Sequence, residues 1–143
     1  MKRVLVIDDE PTICELIADT LRESGYGVDT APNGADALEQ MRRHVPQAIV
    51  LDLMMPRLDA KGFVARMRLE PSFASIPILI VTAAYGAHDA AERLGARACL
   101  TKPFELDELV DRIGRLLDEP GQQSAGNPPG APAKLQRSFA AEA

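Results

Sequence analysis

The sequence predicts an α/β fold, a five-stranded parallel sheet with helices on both faces. Three observations carry this prediction. Short apolar runs alternate with amphipathic stretches five times along the chain, which is the pattern of successive strand-then-helix units. Three of the runs, Val4 to Ile7, Ala48 to Leu51 and Ile78 to Val81, are apolar at every position rather than at every second one, as strands buried on both faces require. A length of 143 residues with 46% hydrophobic content suffices for one domain around one core. Aromatic residues make up only 4%, so that core is built from Val, Ile, Leu, Ala and Met.

Val4-Leu5-Val6-Ile7 forms the first strand and stops at Asp8. Pro11 suits the first turn of a helix. Ile13, Leu16, Ile17 and Leu21 recur at helical spacing as its apolar stripe, and Gly25 offers a stop. Val28 to Thr30 is a short second strand. Asn33 can cap a second helix whose stripe is Ala37, Leu38 and Met41. Ala48-Ile49-Val50-Leu51 repeats the buried-strand signature and ends at Asp52. The third helix runs from about Asp59 to Leu69 with Phe63, Val64 and Met67 inward. Ile78-Leu79-Ile80-Val81 ends at Thr82, and a short helix follows from Ala87 to Leu94. The fifth strand, Ala98 to Thr101, ends at Lys102. The last helix, Leu106 to Leu117, carries Leu106, Leu109, Val110, Ile113 and Leu117 on one face. Right-handed crossovers turn such a chain into a doubly wound parallel sheet, and with five strands the common arrangement is the flavodoxin-like order 2-1-3-4-5.

The predicted folded domain spans residues 1–119. From Pro120 the composition shifts to Pro, Gly, Gln, Ser and Ala, which cannot bury enough apolar surface to offset the entropy of ordering. Residues 120–143 therefore read as a disordered Pro/Gly-rich tail or linker. The net charge of −5 leaves no basic surplus for neutralising phosphates, which argues against direct nucleic-acid binding. Cys14 and Cys99 form no CxxC pattern and read as reduced, buried thiols. Lys2 and Arg3 are followed by an apolar run too short for a signal peptide or a membrane span, so a cytoplasmic location is expected.

Polar residues able to do chemistry stand at four strand ends: Asp8 and Asp9, Asp52, Thr82, and Lys102. In an open parallel sheet, sites form at the carboxyl ends of strands where the strand order reverses. With the predicted order that point lies between strands one and three, which sets Asp8, Asp9 and Asp52 side by side. Three carboxylates in one crevice repel one another, and a hard divalent cation such as Mg²⁺ is the natural counter-charge. Lys102 adds a cation able to pair with Asp52 or with a phosphoryl oxygen, and Thr82 adds a hydroxyl donor. Each residue also has a plainer explanation. Asp8-Asp9 can end a strand and cap a helix, Asp52 can be a loop carboxylate, Thr82 a strand-end residue, and Lys102-Pro103 a solvated turn. All four plain explanations would have to coincide at one sheet edge.

Ile7-Asp8-Asp9-Glu10, Asp52-Leu53-Met54-Met55-Pro56, Val81-Thr82-Ala83 and Thr101-Lys102-Pro103-Phe104 resemble, in order, the signature motifs of bacterial response-regulator receiver domains. The resemblance covers residues 1 to about 118 and is of the single-domain, chemotaxis-regulator-like kind. It implies that Asp52 accepts a phosphoryl group, and that Asp8, Asp9, Asp52 and the backbone carbonyl of Met54 hold Mg²⁺. Thr82 and Lys102 would contact the phosphoryl group, and the bond before Pro103 would be cis. The implied donor is a phosphohistidine on a sensor histidine kinase or a histidine phosphotransfer protein, with an unnamed protein as the downstream target. Three departures accompany the resemblance. Cys99 stands at the switch position where receivers usually carry Tyr or Phe, the stretch from Thr82 to Gly95 is shorter than usual, and Ala60-Lys61 replaces a Gly-apolar pair.

Two function classes compete. The first is a phosphorylation switch, not an enzyme acting on an external substrate, that signals through protein contacts without direct nucleic-acid or membrane binding. The second is a haloacid-dehalogenase-like phosphatase, which also uses Asp, Mg²⁺, Thr and Lys on a parallel sheet. Its nucleophile ends the first strand in a DxDxT pattern, whereas this chain has Asp8-Asp9-Glu10-Pro11-Thr12.

Overall fold

The computed structural model describes residues 2–53, 60–82 and 87–118. Met54, Met55, Pro56, Asp59, Ala83 and the tail from residue 119 onward lie outside the described residues, so the expectations placed on them are not addressed by it.

The strands are β1 (Arg3–Ile7), β2 (Gly27–Ala31), β3 (Ala48–Asp52), β4 (Ile78–Thr82) and β5 (Ala98–Thr101). They form one parallel sheet in the order β2-β1-β3-β4-β5, the doubly wound order that the alternating pattern predicts. The helices are α1 (Pro11–Glu23), α2 (Gly34–Arg43), α3 (Ala60–Leu69), α4 (Ala87–Leu94) and α5 (Leu106–Asp118).

The uninterrupted apolar runs are explained by the sheet having no solvent face. Leu5, Ile7, Ile49, Leu51, Ile78 and Ile80 point to one side, against Met41 of α2 and Phe63 and Met67 of α3. Their strand neighbours Val4, Val6, Val50, Leu79, Val81 and Leu100 point to the other, against Ile17 and Leu21 of α1 and Leu109 and Ile113 of α5. Successive residues of a strand alternate faces, so covering both faces requires every position to be apolar.

Helix ends are set by local chemistry. Asn33 accepts the Asp36 amide at 2.9 Å and caps α2. At the end of α1, Gly25 has φ +100, its amide donates to the Arg22 carbonyl, and the Tyr26 amide donates to that of Leu21. This pair of bonds closes the helix around a left-handed residue that glycine adopts without steric penalty. Gly95 ends α4 in the same way, with φ +77 and the bonds Gly95 to Glu92 and Ala96 to Ala91.

Long side chains cover the outer edge of β2. Arg22 Nη2 donates to the Val28 carbonyl at 3.2 Å and Gln40 Nε2 to that of Thr30 at 3.1 Å. An edge strand capped in this way offers fewer open groups for pairing with another chain.

The structure corrects the expected stripe of α1. Cys14, Ile17, Ala18 and Leu21 are the buried set, whereas Leu16 is 48% exposed and Ile13 is half-buried. The buried set follows the i, i+3, i+4, i+7 spacing from Cys14, and a stripe of that width leaves Leu16 outside it. No helix among the described residues is long and apolar enough to cross a membrane.

Replacing the α2 cap, Asn33→Ala, is expected to cost about 1 kcal/mol. Urea unfolding should show a lower midpoint with an unchanged slope; an unchanged midpoint would show that the cap bond adds nothing.

Candidate functional site

The site lies where β1 and β3 run side by side at the reversal of strand order. Ile7 pairs with Leu51, so Asp8 and Asp52 come one step further along two hydrogen-bonded neighbours. Backbone bonds fix each position. Asp52 is in register with Val81 of β4, the Asp8 amide donates to the Ala31 carbonyl at 3.1 Å, and the Lys102 amide donates to the Thr82 carbonyl at 2.9 Å. Thr82 in turn pairs with Thr101. The sheet ladder therefore holds the backbone of Asp8, Asp52, Thr82 and Lys102, while Asp9 follows Asp8 into the loop before α1.

The side chains converge. Asp8, Asp9 and Asp52 each place a carboxylate oxygen within 4.8 Å of the others. Asp8 and Asp52 are buried and Asp9 is exposed at the mouth. Lys102 Nζ stands 3.8 Å from Asp8 Oδ2 and 3.7 Å from Asp52 Oδ2. It is shared between the two as a point charge, beyond the range of a short hydrogen bond. Among the described residues, three carboxylates thus face one ammonium group.

The electrostatics of Asp8 follow from this crowding. Burial pushes its carboxyl above the ordinary carboxylate range. The Glu10 amide opposes that shift, Asp52 adds to it, Lys102 opposes it and Asp9 adds to it, in descending order of effect. The Glu10 amide donates to Asp8 Oδ1 at 2.9 Å. Asp8 Oδ2 is buried and, among the described residues, has no hydrogen-bond partner. A buried anionic oxygen without a donor is costly. A divalent cation seated among the three carboxylates would satisfy it, and oxygen donors of this kind suit a hard ion. The capping explanation of Asp8-Asp9 accounts for Oδ1 alone, since the N-cap residue of α1 is Glu10, which makes no side-chain cap bond.

Thr82 is fully buried at the end of β4, on the strand next to Asp52. The Lys102–Pro103 peptide bond is cis. Cys99 is fully buried on β5, in register with Ile80, and packs in the layer beneath α3 and α4. Both cysteines are free thiols, and burial pushes that of Cys14 up to about 11, which keeps it protonated and unreactive at neutral pH.

Arg112 was not anticipated from the sequence. It is a buried cation on α5 whose Nη1 donates to the Cys99 carbonyl at 3.4 Å, tying α5 to the edge strand β5. The available signal was its spacing, three residues after Leu109 and next to Ile113 on the apolar face of the helix.

The family description "Response regulator receiver domain" matches residues 4–114. Response regulator MprA of Mycobacterium leprae is 40% identical over 117 residues, which cover 80% of this chain and 50% of that protein. DNA-binding dual master transcriptional regulator RpaA of Synechocystis is 36% identical over 119 residues, 82% of this chain and 49% of that protein. The chain thus spans about half the length of these curated relatives. Among solved structures, a putative response regulator from Chloroflexus aurantiacus superposes with a TM-score of 0.77 at 34% identity, covering 82% of this chain and 98% of that one. Response regulator TrrA of Thermotoga maritima, solved in complex with Mg²⁺ and BeF, gives a TM-score of 0.72 at 33% identity, covering 82% of this chain and all of that one (100%).

Because its proton is held more tightly in the folded than in the unfolded chain, Asp8 lowers stability as pH rises from the ordinary carboxylate value through the raised one. In metal-free buffer, Asp8→Asn should therefore be more stable than wild type near neutral pH, with the difference shrinking as the pH is lowered through that window. Urea titrations at a series of pH values measure it; a difference that grows as the pH falls would contradict the assignment.

Proposed function

The chain belongs to the response regulator receiver family of two-component systems, and from that premise we propose that Asp52 is its phosphoacceptor, with Mg²⁺ held by Asp8, Asp9 and Asp52. The observation that carries the proposal is the convergence of three carboxylates and Lys102 around a buried carboxylate oxygen that, among the described residues, lacks a donor. When bound, Mg²⁺ supplies positive charge for the carboxylates and for the oxygens of an incoming phosphoryl group.

The chain's own residues do the rest. An Asp52 oxygen attacks the phosphorus of a phosphohistidine on a donor protein. The N–P bond breaks as the O–P bond forms, and the electron pair and leaving nitrogen return to the donor's imidazole. Lys102, already shared between Asp8 and Asp52, turns to the phosphoryl oxygens as their charge arrives. Thr82, on the neighbouring strand, donates its hydroxyl to the same group. Positioning and charge stabilisation dominate such a transfer, because little covalent chemistry is left to the protein.

The donor is a sensor histidine kinase or a histidine phosphotransfer protein, and the location is cytoplasmic. The output is a change of protein contacts with no external substrate turned over. The Met54 carbonyl completes the metal ligands in this reading, Cys99 replaces the usual switch aromatic, and residues 1–119 form the receiver while 120–143 serve as tail or linker. A haloacid-dehalogenase-like phosphatase finds no support in the likenesses found.

Intact mass after incubation with acetyl phosphate and Mg²⁺ tests the proposal. One phosphoryl adduct should form, require Mg²⁺, and be absent from Asp52→Asn. An adduct of equal yield in Asp52→Asn would overturn the assignment, and sustained turnover of p-nitrophenyl phosphate would revive the phosphatase.

A further inference from the structure

All five helices run the same way relative to the sheet, so their C-terminal ends gather at its amino edge, opposite Asp8 and Asp52. Each carries arginine in its last turn: Arg22, Arg42 and Arg43, Arg66 and Arg68, Arg93, and Arg115. Helix dipoles favour cations there, which accounts for the distribution. Several of these guanidinium groups are occupied. Arg22 bonds Asp19 and the Val28 carbonyl, Arg68 bonds the Ala74 and Gly95 carbonyls, and Arg115 pairs with Asp111.

Arg93 of α4 is exposed and, among the described residues, makes no hydrogen bond or ion pair, and the corner where α2 packs on α3 gathers three more such groups. Arg42, Arg43 and Arg66 are exposed there and, among the described residues, make no hydrogen bond or ion pair. Glu39 and Glu70, close to them in sequence, pair with none of the three. The same two helix ends carry Val45, 46% exposed, and Leu69, 82% exposed. Large exposed apolar side chains are otherwise represented among the described residues by Leu16 alone. Scattered apolar residues mean little singly. Two at one corner, next to cations without partners, have the composition of an interface centre, where Arg is enriched and apolar anchors are desolvated.

We propose that this α2–α3 corner docks an acidic segment of a partner protein, with apolar side chains laid against Leu69 and Val45 and carboxylates against Arg42, Arg43 and Arg66. Charge decides between occupants. A membrane surface or nucleic acid is an extended polyanion and meets the field of the whole molecule, whose net charge is −5. A short acidic segment stays within a Debye length, about 8 Å at physiological salt, and meets the local arginines. The surface is separate from the phosphoacceptor site and does not depend on it.

The test uses the ¹⁵N-labelled full chain and a synthetic amphipathic peptide with a leucine stripe flanked by glutamates. Its counterpart has lysines in place of the glutamates. Saturable amide shifts are expected over residues 42–45 and 65–70 with the acidic peptide and none with the basic one. The double variant Arg43→Glu, Arg66→Glu should bind about tenfold more weakly or worse, while its melting temperature stays near that of wild type because both sites are exposed. The absence of saturable shifts, shifts centred on another face, or equal binding by the double variant each overturns the proposal. So does co-sedimentation with phosphatidylserine vesicles by a protein that ignores the acidic peptide, which would assign the corner to lipid.

Discussion

The pairing of β1 with β3 brings Asp8 and Asp52 side by side and buries both, and the rest of the structure holds that arrangement against its own repulsion. Neither carboxylate can leave without breaking the ladder, because each lies at the end of a strand hydrogen-bonded on both sides. The aliphatic layers above and below the sheet make those strands rigid, and the β4–β5 pairing delivers Lys102 to within 4 Å of both acids. Among the described residues, one ammonium stands among three carboxylates, in keeping with the raised pKa of Asp8 and with its Oδ2 lacking a donor there. An arrangement of this kind costs folding energy in the free protein and lowers the cost of bringing in a cation and a phosphoryl group.

Much of this was legible in the sequence, for a physical reason. A sheet covered on both faces demands apolar strands without alternation, and Val4 to Ile7, Ala48 to Leu51 and Ile78 to Val81 meet that demand without ambiguity. Glycine at a left-handed helix end is similarly local, so Gly25 marked the end of α1 correctly. Crossover handedness gave the doubly wound parallel sheet, and the arrangement common to five such strands gave the order and with it the meeting of Asp8, Asp9 and Asp52. Leu16 and Arg112 were not legible. Each sits at the boundary of an amphipathic stripe, where a residue's spacing fits both the buried and the exposed side. Only the packing of α1 and α5 on the sheet decides between them, turning a leucine outward and an arginine inward.

The two edges of the sheet carry different clusters of charged groups. Carboxylates collect at the carboxyl edge of the sheet, where chemistry needs them, and arginines at the amino edge, where helix ends favour them. Two ends with different chemistry can serve two different contacts. On the proposals above, the acidic end receives a phosphoryl group and the basic corner at α2–α3 holds a partner segment. Between them, Arg112 ties α5 to the backbone of Cys99. The side chain at position 99 is a fully buried free thiol.

The central claim is that the crowded carboxylates form a divalent-cation site, and equilibrium unfolding with and without Mg²⁺ tests it most directly. A cation that binds only the folded chain adds about 2.7 kcal/mol when present at about a hundred times its dissociation constant. The account predicts such a gain for wild type at saturating Mg²⁺, and a marked loss of it in Asp9→Asn, whose exposed side chain can be changed without disturbing the core. Equal stability of wild type with and without Mg²⁺, or an equal gain in Asp9→Asn, would contradict it.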